Sequence, residues 1–396
     1  MHILFISALS SERLINEIHQ RTGKNPGFAV QKFSRLLVKG LMANDARVTA
    51  LSNPPVTRKR SKSLFVNYGK EVENEVNYKY IPFINLPFLK YLCVFFNSFL
   101  YVLFWGMKNK KEKVLICDVL TISACIGSLL ASKLTGVQTV GVVTDIYGFM
   151  ACGNSSKSLL FTIGTKLNRM YISAFDKYVL LTEQMNNLVN PKGRPHIVME
   201  ALCDLSLMNE KEFVVNKDSP RTMLYAGGLY VKYGLKMLVD AFLQSGVDGK
   251  LVLYGDGPFA EELREISANS EKVDYRGVAP NETVVDAEHK ASVLVNPRFT
   301  TEAFSPYSFP SKNTEYMASG TSLLTTKLPG MPEEYHEYVY LFGVETIEAY
   351  AEAIRQVFAK SDKELSTMGS RAKKFVLENK NNVTQAKRVV ELIVKR

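Results

Sequence analysis

The sequence predicts an α/β protein made of two doubly wound halves, each with a parallel sheet. Three observations carry this prediction. Short apolar runs recur along the chain of 396 residues, amphipathic segments separate them, and the pattern restarts near residue 220 after a polar stretch. Runs of this length, rich in β-branched residues, suit strands buried on both faces, and their alternation with helices predicts parallel sheets.

The elements follow in chain order from this pattern. Eight apolar runs are predicted to be strands: Ile3–Ser7, Val114–Cys117, Thr139–Val143, Tyr178–Leu181, Met223–Tyr225, Leu251–Tyr254, Ser292–Val295 and Ser322–Thr325. A short strand followed by a glycine turn is predicted over Val273–Val278. The clearest amphipathic helices are predicted over Phe28–Met42, Leu235–Ser245 and Phe259–Ala268.

A polar stretch near residues 204–219 divides the chain. We therefore expect a first domain over residues 1–205, a linker over 206–219, a second domain over 220–375, and a C-terminal helix over 376–396 that can return to the first domain. Five cysteines without a C-x-x-C pair argue against a zinc site and a disulfide framework, and they fit a reducing compartment. The first residues lack the basic start of a signal peptide and predict a buried strand.

The net charge of +10 is concentrated at one end of the chain. Residues 1–120 hold 18 Lys/Arg and 8 Asp/Glu, which leaves 31 of each (49 − 18 and 39 − 8) for the rest. Such an excess indicates an anionic partner, either nucleic acid or an anionic membrane surface. We favour the membrane and expect no nucleic-acid partner, because no aromatic and basic binding motif accompanies the charge.

One segment, Ile81–Lys113, is unusually apolar. Tyr91–Met107 contains no charged side chain, and lysines follow it. A spanning helix needs about 20 apolar residues, so this run is short for crossing a membrane. It is either a buried helix or a helix that contacts the interface. We favour a mostly buried helix with an adjoining membrane-facing patch.

The stretch Pro306–Gly320 contains the most informative side chains. Ser311, Lys312 and Glu315 fall at i, i+1 and i+4 of a predicted helix start. Free N–H groups at a helix N-terminus favour anions, Lys312 adds a positive charge, and Glu315 can accept hydrogen bonds from a sugar diol. These features predict a nucleotide site. An ordinary helix start with an exposed lysine is the alternative.

Other candidates lie where predicted strands end. Gly227 and Gly228 follow a strand and let backbone N–H groups approach phosphate oxygens, or they only form a turn. The turn Gly255–Pro258 is predicted to be structural. Asp145 follows a strand of the first half, where ligands bind in open α/β sheets, although it can also be a helix cap.

In this order the segments Gly227–Gly234, Tyr254–Pro258, Tyr275–Gly277 and Phe309–Gly320 resemble family 4 of the GT-B glycosyltransferases. The resemblance is strong over about residues 220–335 and weaker in the first half, where Asn25–Phe28 agrees with it. It implies a GT-B fold with two Rossmann-like domains facing a cleft. It also implies retaining hexose transfer from a UDP- or GDP-linked sugar, without an essential metal or other cofactor. Similar bacterial enzymes build capsular polysaccharide, exopolysaccharide or O-antigen.

The resemblance also assigns roles to residues. Glu315 matches the ribose-binding carboxylate, Ser311 and Lys312 match positions near the diphosphate, and Gly228 lies where phosphate meets backbone. The donor set that we predict is completed by Gly227, Lys232, Arg276, Val278, Tyr307 and Ser308. Asp145 is the predicted catalytic residue that faces the acceptor hydroxyl or the donor sugar, with Thr144 where the family often has histidine.

Two departures from the family pattern concern charge. Tyr307 stands where many members carry the first glutamate of E-x(7)-E, and Gly228 and Tyr233 stand where they carry an arginine and a lysine. A leaving diphosphate needs positive charge or aligned donors, so we predict that Lys312, and after it Lys232, supplies this charge. The departures leave open a catalytically silent protein that binds a nucleotide sugar or a partner protein. We expect the chain on the cytoplasmic face of the membrane, acting on a lipid-linked glycan.

Overall fold

The computed structural model describes residues 1–22, 28–58, 61–108, 112–146, 168–209 and 217–395. The chain forms two compact units, Met1–Leu202 with Asn382–Arg396, and Cys203–Asn381. The sequence places these divisions after residues 205 and 375. The second division falls later because the helix Asp362–Asn379 is continuous and buries Val376 and Leu377 near its end.

Several expectations lie outside the described residues. They concern the loop 25–27, the end of the segment 142–148, the lysines at 110 and 111, and the part of the expected linker over 210–216.

The first unit is built on an eight-stranded sheet. Its strands are β1 (His2–Ser7), β2 (Arg47–Ser52), β4 (Lys70–Glu73), β5 (Val76–Tyr80), β7 (Lys113–Asp118), β8 (Gln138–Val143), β9 (Lys177–Leu180) and β10 (His196–Val198), while β3 (Phe65–Val66) and β6 (Phe83–Ile84) pair separately. The strand order is β10-β9-β8-β7-β1-β2-β5-β4. All neighbours in this sheet are parallel except β4 and β5.

Six α-helices of the first unit lie wholly within its described part. They are α1 (Glu12–Thr22), α2 (Phe28–Ala43), α3 (Leu89–Lys108), α4 (Ile122–Thr135), α5 (Asn186–Val189) and, from the end of the chain, α12 (Asn382–Val394). The last of these packs on α2 and near β9 and β10.

The second unit has a six-stranded sheet in which all neighbouring strands are parallel. Its strands are β11 (Thr222–Ala226), β12 (Lys250–Tyr254), β13 (Val273–Tyr275), β14 (Val293–Asn296), β15 (Ser322–Thr325) and β16 (Tyr340–Leu341). Its helices are α6 (Leu235–Ser245), α7 (Ala260–Asn269), α8 (Asn281–Lys290), α9 (Ser311–Ser319), α10 (Ile347–Phe358) and α11 (Asp362–Asn379).

The strand order of the second unit, β13-β12-β11-β14-β15-β16, is that of a doubly wound sheet. The direction in which successive strands are added to the sheet reverses between β11 and β14, which makes this pair the topological switch point. Ligands of open α/β sheets bind outside the carboxyl ends of the strands at such a point. The predicted α/β class with parallel sheets is confirmed.

The sequence misses strands that are not continuous apolar runs. β5 reads Val-Asn-Tyr-Lys-Tyr and alternates buried with half-buried residues because its two faces are covered differently, and its sheet neighbour β4 is a polar edge strand. β2 begins with an exposed arginine before five buried residues. Both strands contain polar residues, whereas the strand predictions rest on apolar runs that are typical of strands buried on both faces.

The apolar segment forms a helix as predicted, but the expectation that this helix is mostly buried is wrong. α3 is 20 residues long and buries Val94, Ser98, Val102 and Gly106. The helix exposes seven large apolar side chains, with exposed fractions between 42% and 64%: Leu89, Tyr91, Leu92, Phe96, Leu100, Phe104 and Met107. Only one side of the helix packs on α4. Within the described part of the chain, α3 alone is long and apolar enough to cross a membrane by length and composition.

Candidate functional site

The carboxyl edge of the second sheet brings together the loops that follow β11, β12 and β14. The backbone N–H of Gly227 donates to the carbonyl of Tyr254 over 3.1 Å, and that of Leu229 donates to the carbonyl of Asp256 over 2.9 Å. A Cβ added to Gly255, whose φ is 131°, would lie 1.8 Å from the Gly227 carbonyl oxygen. Glycine at 255 is therefore required for the two loops to touch.

Helix α9 enters this edge from the other side. Its first residue is Ser311, and its N-cap position is Pro310. Among the residues that the structure describes, no side chain caps this end, so Ser311 is not the cap that its hydroxyl suggests. The helix is joined to β11 by the buried Tyr316 hydroxyl, which accepts from the N–H of Ala226 over 2.8 Å and donates to its carbonyl over 3.1 Å.

Lys312 and Glu315 are in direct contact near the start of α9. The Lys312 Nζ lies 3.0 Å from Glu315 Oε2 and 3.6 Å from Oε1 of Glu288, a side chain on α8 that is 4% exposed. Burial opposes the charge of Lys312, but the two carboxylates outweigh it and raise the pKa of the ammonium group. With both carboxylates ionised, the three groups sum to one negative charge. Sequence reasoning missed Glu288, which is brought there by the fold.

The loop after β14 contributes Arg298, which the sequence did not single out. Its Nη1 donates to the Ser308 hydroxyl over 3.0 Å, and its Cζ lies 4.6 Å from the centre of the Tyr233 ring and 5.6 Å from that of Phe304. Burial raises the pKa of Tyr225 to about 12, and the positive charge of Arg298 acts in the opposite direction. The one signal in the sequence is a cation just after a predicted strand.

The predicted donor residues Lys232, Tyr307 and Ser308 lie in the same neighbourhood. The Lys232 Nζ is 5.7 Å from the centre of the Tyr230 ring and 5.8 Å from that of Phe304. Tyr307 ends a short 3-10 helix over Ser305–Tyr307, where its N–H donates to the Phe304 carbonyl over 2.9 Å. Phe304 thus contacts Lys232 and precedes the turn that carries Tyr307 and Ser308.

Arg276 and Val278 follow β13, further along the same edge. Arg276 Nε donates to Asp274 Oδ2 over 2.9 Å, and its Nη1 donates to the Tyr254 hydroxyl over 2.9 Å. Val278 is 76% exposed. The carbonyl of Gly277, between them, accepts the N–H of Gly255 over 2.8 Å. Val278 is thus an exposed apolar side chain at this edge of the sheet.

Asp145 belongs to the first unit, at the carboxyl end of β8. It is half-buried, and its Oδ1 accepts the N–H of Ile146 over 2.8 Å. Burial raises the pKa of this carboxyl, and the Ile146 bond opposes the rise. Asp118 ends the adjacent strand β7 in the same way. The structure therefore places one buried and one half-buried carboxyl group at neighbouring strand ends of the first unit.

A cavity of about 660 Å³ lies elsewhere in the first unit, beside the N-terminal ends of β8 and β9. Its lining includes Lys133, Lys192 and Arg194, but none of the predicted site residues. Ligands of this fold class bind at the carboxyl ends of strands, so we give the cavity no part in the site. Among the described residues, no group of three or more His, Cys, Asp or Glu is placed to hold a metal ion.

Comparison with known proteins agrees with this geometry. Residues 220–360 match the family model described as "Glycosyl transferases group 1". That range contains every predicted donor residue and the switch point between β11 and β14. No match was found among curated proteins.

Solved structures resemble nearly the whole chain. A lipopolysaccharide outer core galactosyltransferase, WaaB, is 14% identical with a TM-score of 0.63 and covers 99% of both chains. HepE of Anabaena in complex with UDP is 14% identical with a TM-score of 0.62 and the same coverage. A glycosyltransferase of Rickettsia africae is 14% identical with a TM-score of 0.65 and covers 100% of this chain and 99% of its own. At this identity the likeness shows the fold, which is GT-B with two Rossmann-like units.

Proposed function

We propose that the protein is a retaining glycosyltransferase that moves a hexose from a UDP- or GDP-linked sugar to a lipid-linked glycan in surface polysaccharide biosynthesis. The observation that carries this proposal is the convergence of Gly228, Arg298, Lys312 and Glu315 at the switch point of the second sheet. Backbone donors, cations and a carboxylate at this place suit a nucleoside diphosphate. The neighbours include a galactosyltransferase and a UDP complex, and both support this donor class.

In this proposal the reaction needs no metal ion or other cofactor. The donor diphosphate leaves while cations and backbone N–H groups stabilise its developing charge. In a front-face reaction the leaving phosphate itself accepts the proton of the acceptor hydroxyl. Asp145 then orients the acceptor hydroxyl or the donor sugar, and its raised pKa fits a carboxyl group held in a partly buried position.

The proposal is tested by binding and turnover together. Thermal unfolding is measured with a panel of nucleotides and nucleotide sugars, because a ligand that binds only the folded state raises stability by mass action. We expect UDP or GDP and one of their sugars to stabilise the protein, and that sugar nucleotide to be consumed when a lipid-linked acceptor is added. Stabilisation without hydrolysis or transfer would favour a catalytically silent binding protein. Stabilisation by neither UDP nor GDP would contradict the donor site itself.

Glu315 provides a sharper test of the donor site. If its carboxylate accepts hydrogen bonds from the ribose hydroxyls, Glu315→Ala should weaken binding of UDP or GDP by about 10- to 100-fold. The matched ligand is the 2′,3′-dideoxy nucleotide, which lacks the ribose hydroxyls. The affinity of wild type for this ligand should be as low as the affinity of the variant for the nucleotide that carries the hydroxyls. The variant should no longer distinguish the two ligands. If it still distinguishes them, Glu315 does not contact the ribose.

We also propose that the first unit docks on the cytoplasmic face of an anionic membrane through α3. The α3 outer face, formed by Leu89, Leu92, Phe96, Leu100 and Phe104, recurs at helical spacing and is 42–60% exposed. An apolar patch of this kind on a soluble protein marks an interaction site. Exposed Leu130 and Leu134 of α4, the helix on which α3 packs, add further apolar surface.

Positive charge lies beside α3 and favours an anionic partner. Lysine ammonium groups lie over aromatic rings of α3 and its neighbours: Lys79 over Tyr101 at 5.0 Å, Lys113 over Trp105 at 4.9 Å and Lys90 over Phe83 at 4.7 Å. An apolar helix face with lysines and interfacial aromatic rings suits the headgroup region of an anionic bilayer. Each basic residue near such a surface contributes about 1 kcal/mol.

Vesicle sedimentation tests the membrane proposal. Wild type should bind vesicles that contain phosphatidylglycerol and phosphatidylcholine. It should bind less to vesicles of phosphatidylcholine alone, and less to the mixed vesicles at high salt. The double variant Leu100→Glu/Phe104→Glu should stay in the supernatant, because it places two carboxylates on the apolar face. Val344→Glu, at a position that is 75% exposed in the second unit, is the matched control and should bind as wild type does. Equal binding of the double variant would exclude α3 as the docking element. If instead it dissociates an oligomer without vesicles, the face is a protein interface.

A further inference from the structure

We propose that Arg298 is the cation that binds the diphosphate of the donor, taking the place of charges that are missing from the loop over Gly228–Gly234. This inference rests on the proposed nucleotide-sugar site and names its phosphate-binding side chain. It differs from the sequence prediction, which gives this role to Lys312 and then to Lys232.

The first argument is position in the sheet. Arg298 follows β14, which ends at Asn296, and Gly228 follows β11, which ends at Ala226. The two strands are parallel neighbours with Leu224 beside Leu294, so their carboxyl ends lie at the same edge. They also form the topological switch point, where ligands of this fold class bind.

The second argument is direct contact between the two loops. A Cβ added to Gly234, whose φ is 80°, would lie 2.0 Å from the carbonyl oxygen of Pro297. The guanidinium of Arg298 lies 4.6 Å from the ring centre of Tyr233, one residue earlier. Tyr233 stands where the family pattern has a lysine, so Arg298 brings a positive charge to the neighbourhood from which that lysine is missing.

The third argument is how the guanidinium is held. The rings of Tyr233 and Phe304, which are 8% and 7% exposed, lie within 5.6 Å of its Cζ, and its Nη1 donates to Ser308. The guanidinium carbon lies over these rings, and the N–H donors of a guanidinium are arranged in one plane. Such a planar fork matches two phosphate oxygens at once, and it stays charged at every relevant pH.

The fourth argument compares Arg298 with the other cations. Lys312 is already engaged with Glu315 and Glu288, and with both carboxylates ionised this cluster is negative. A phosphate would have to compete with both carboxylates for its ammonium group. Lys232 is a point charge on a flexible stem above Tyr230 and Phe304, and it offers no fork. Arg298 therefore has the chemistry and the location that a diphosphate requires.

The test compares ligands with and without phosphates. Dissociation constants are measured for UDP, GDP, uridine and guanosine with wild type, Arg298→Gln, Arg298→Lys and Arg355→Gln. Arg355 is paired with Glu352 on α10 and is the matched arginine control. We expect Arg298→Gln to lower the affinity for the nucleoside diphosphate that wild type prefers by about 10- to 100-fold. Its affinity for the corresponding nucleoside should fall by less than about twofold. The diphosphate affinity of Arg298→Lys should lie between those of wild type and Arg298→Gln, and the affinity of Arg355→Gln should equal that of wild type.

The outcomes separate this inference from the proposed function. Unchanged diphosphate affinity in Arg298→Gln, with wild type still binding UDP or GDP, would overturn the role of Arg298 alone. An equal loss for nucleoside and nucleoside diphosphate would also overturn it, because Arg298 would then shape the site without binding phosphate. If Arg298→Gln fails to fold, Arg298→Lys is the deciding variant. Wild-type diphosphate affinity in Arg298→Lys would exclude recognition of the phosphates by the guanidinium fork. Failure of wild type to bind either diphosphate would refute both proposals.

Discussion

Asp118 ends β7 with its carboxyl group almost entirely removed from water. The side chain is 4% exposed, and its Oδ1 accepts the N–H of Leu120 over 3.1 Å. Burial raises the pKa of this group to about 6, although the hydrogen bond from Leu120 acts in the opposite direction. The ionisable groups around it include the buried thiols of Cys117 and Cys125 and the hydroxyl of Tyr171. In such surroundings, ionisation of the carboxyl group lowers the stability of the folded protein.

This environment predicts a pH dependence of stability. Because the pKa is raised on folding, the contribution of Asp118 is fully present below the unfolded pKa of about 4 and is lost as pH rises through about 6. Asp118→Asn keeps an acceptor for Leu120 but has no charge. The stability of the variant relative to wild type should therefore rise by about 2–3 kcal/mol between pH 4 and pH 7.5.

Urea unfolding of both proteins at intervals across this range measures the difference directly. Asp248→Asn, at an exposed position of the second unit, is the control for the loss of one carboxyl group. A constant difference between Asp118→Asn and wild type at every pH would show that Asp118 does not titrate on unfolding.

At the scale of elements, the two faces of α3 have different causes. Its inner face approaches α4 closely because glycines occupy both sides of the contact. A Cβ added to Gly127 would lie 2.4 Å from the Phe95 carbonyl oxygen, and one added to Gly106 would lie 2.7 Å from Thr135 Oγ1. Close approach of the backbones fixes which side of α3 is buried and so which side presents the outer face to solvent.

Gly127→Ala should therefore destabilise the first unit. Its methyl group meets a backbone oxygen, so α3 must shift away from α4, at a cost of about 1–3 kcal/mol. Gly343→Ala is the matched control, since a Cβ there has no atom within 4 Å and the residue has no positive φ. Thermal unfolding should separate the two variants. Equal melting temperatures for Gly127→Ala and wild type would mean that the helices can move apart freely.

At the scale of the whole molecule, the chain returns to its first unit through α12. Lys177 of β9 is 6% exposed, and its Nζ donates to the carbonyls of Leu392 and Ile393 over 2.7 and 3.0 Å, and to that of Lys395. Burial lowers the pKa of this lysine, against the opposing charge of Asp176. A buried ammonium group thus satisfies the last carbonyls of the helix, which have no partner within the helix itself.

Lys177→Met should loosen the C-terminal end of α12 and lower stability by about 1–3 kcal/mol, because buried carbonyls lose their donor. Hydrogen exchange should become faster in the last turn of α12, and unfolding should occur at lower urea. Lys192→Met, at an exposed position of the same unit, should change neither. Unaltered exchange in Lys177→Met would show that packing on α2 alone holds the helix.

Much of the fold could be predicted from the sequence because its signals are local. All eight apolar runs are strands, and α6 spans the predicted Leu235–Ser245. Features that depend on which elements pack against each other in space could not be predicted. β5 alternates because of what covers each face, and α3 is exposed because only one side of it meets α4. The apolar composition of a helix predicts that it avoids water, but it does not specify whether protein or membrane covers it.

The candidate site divides in the same way. By itself, the sequence determined the glycine loop over Gly227–Gly228, the helix start at Ser311 and the carboxylate of Glu315, because strand, turn and helix signals lie within a few residues. Only the tertiary structure decided that Glu288 pairs with Lys312 and that Arg298 lies against Tyr233. These partners are 24 and 65 residues apart in the numbering, and parallel strands bring them to one edge. Charge balance at a site depends on distances in space, which local sequence patterns do not contain.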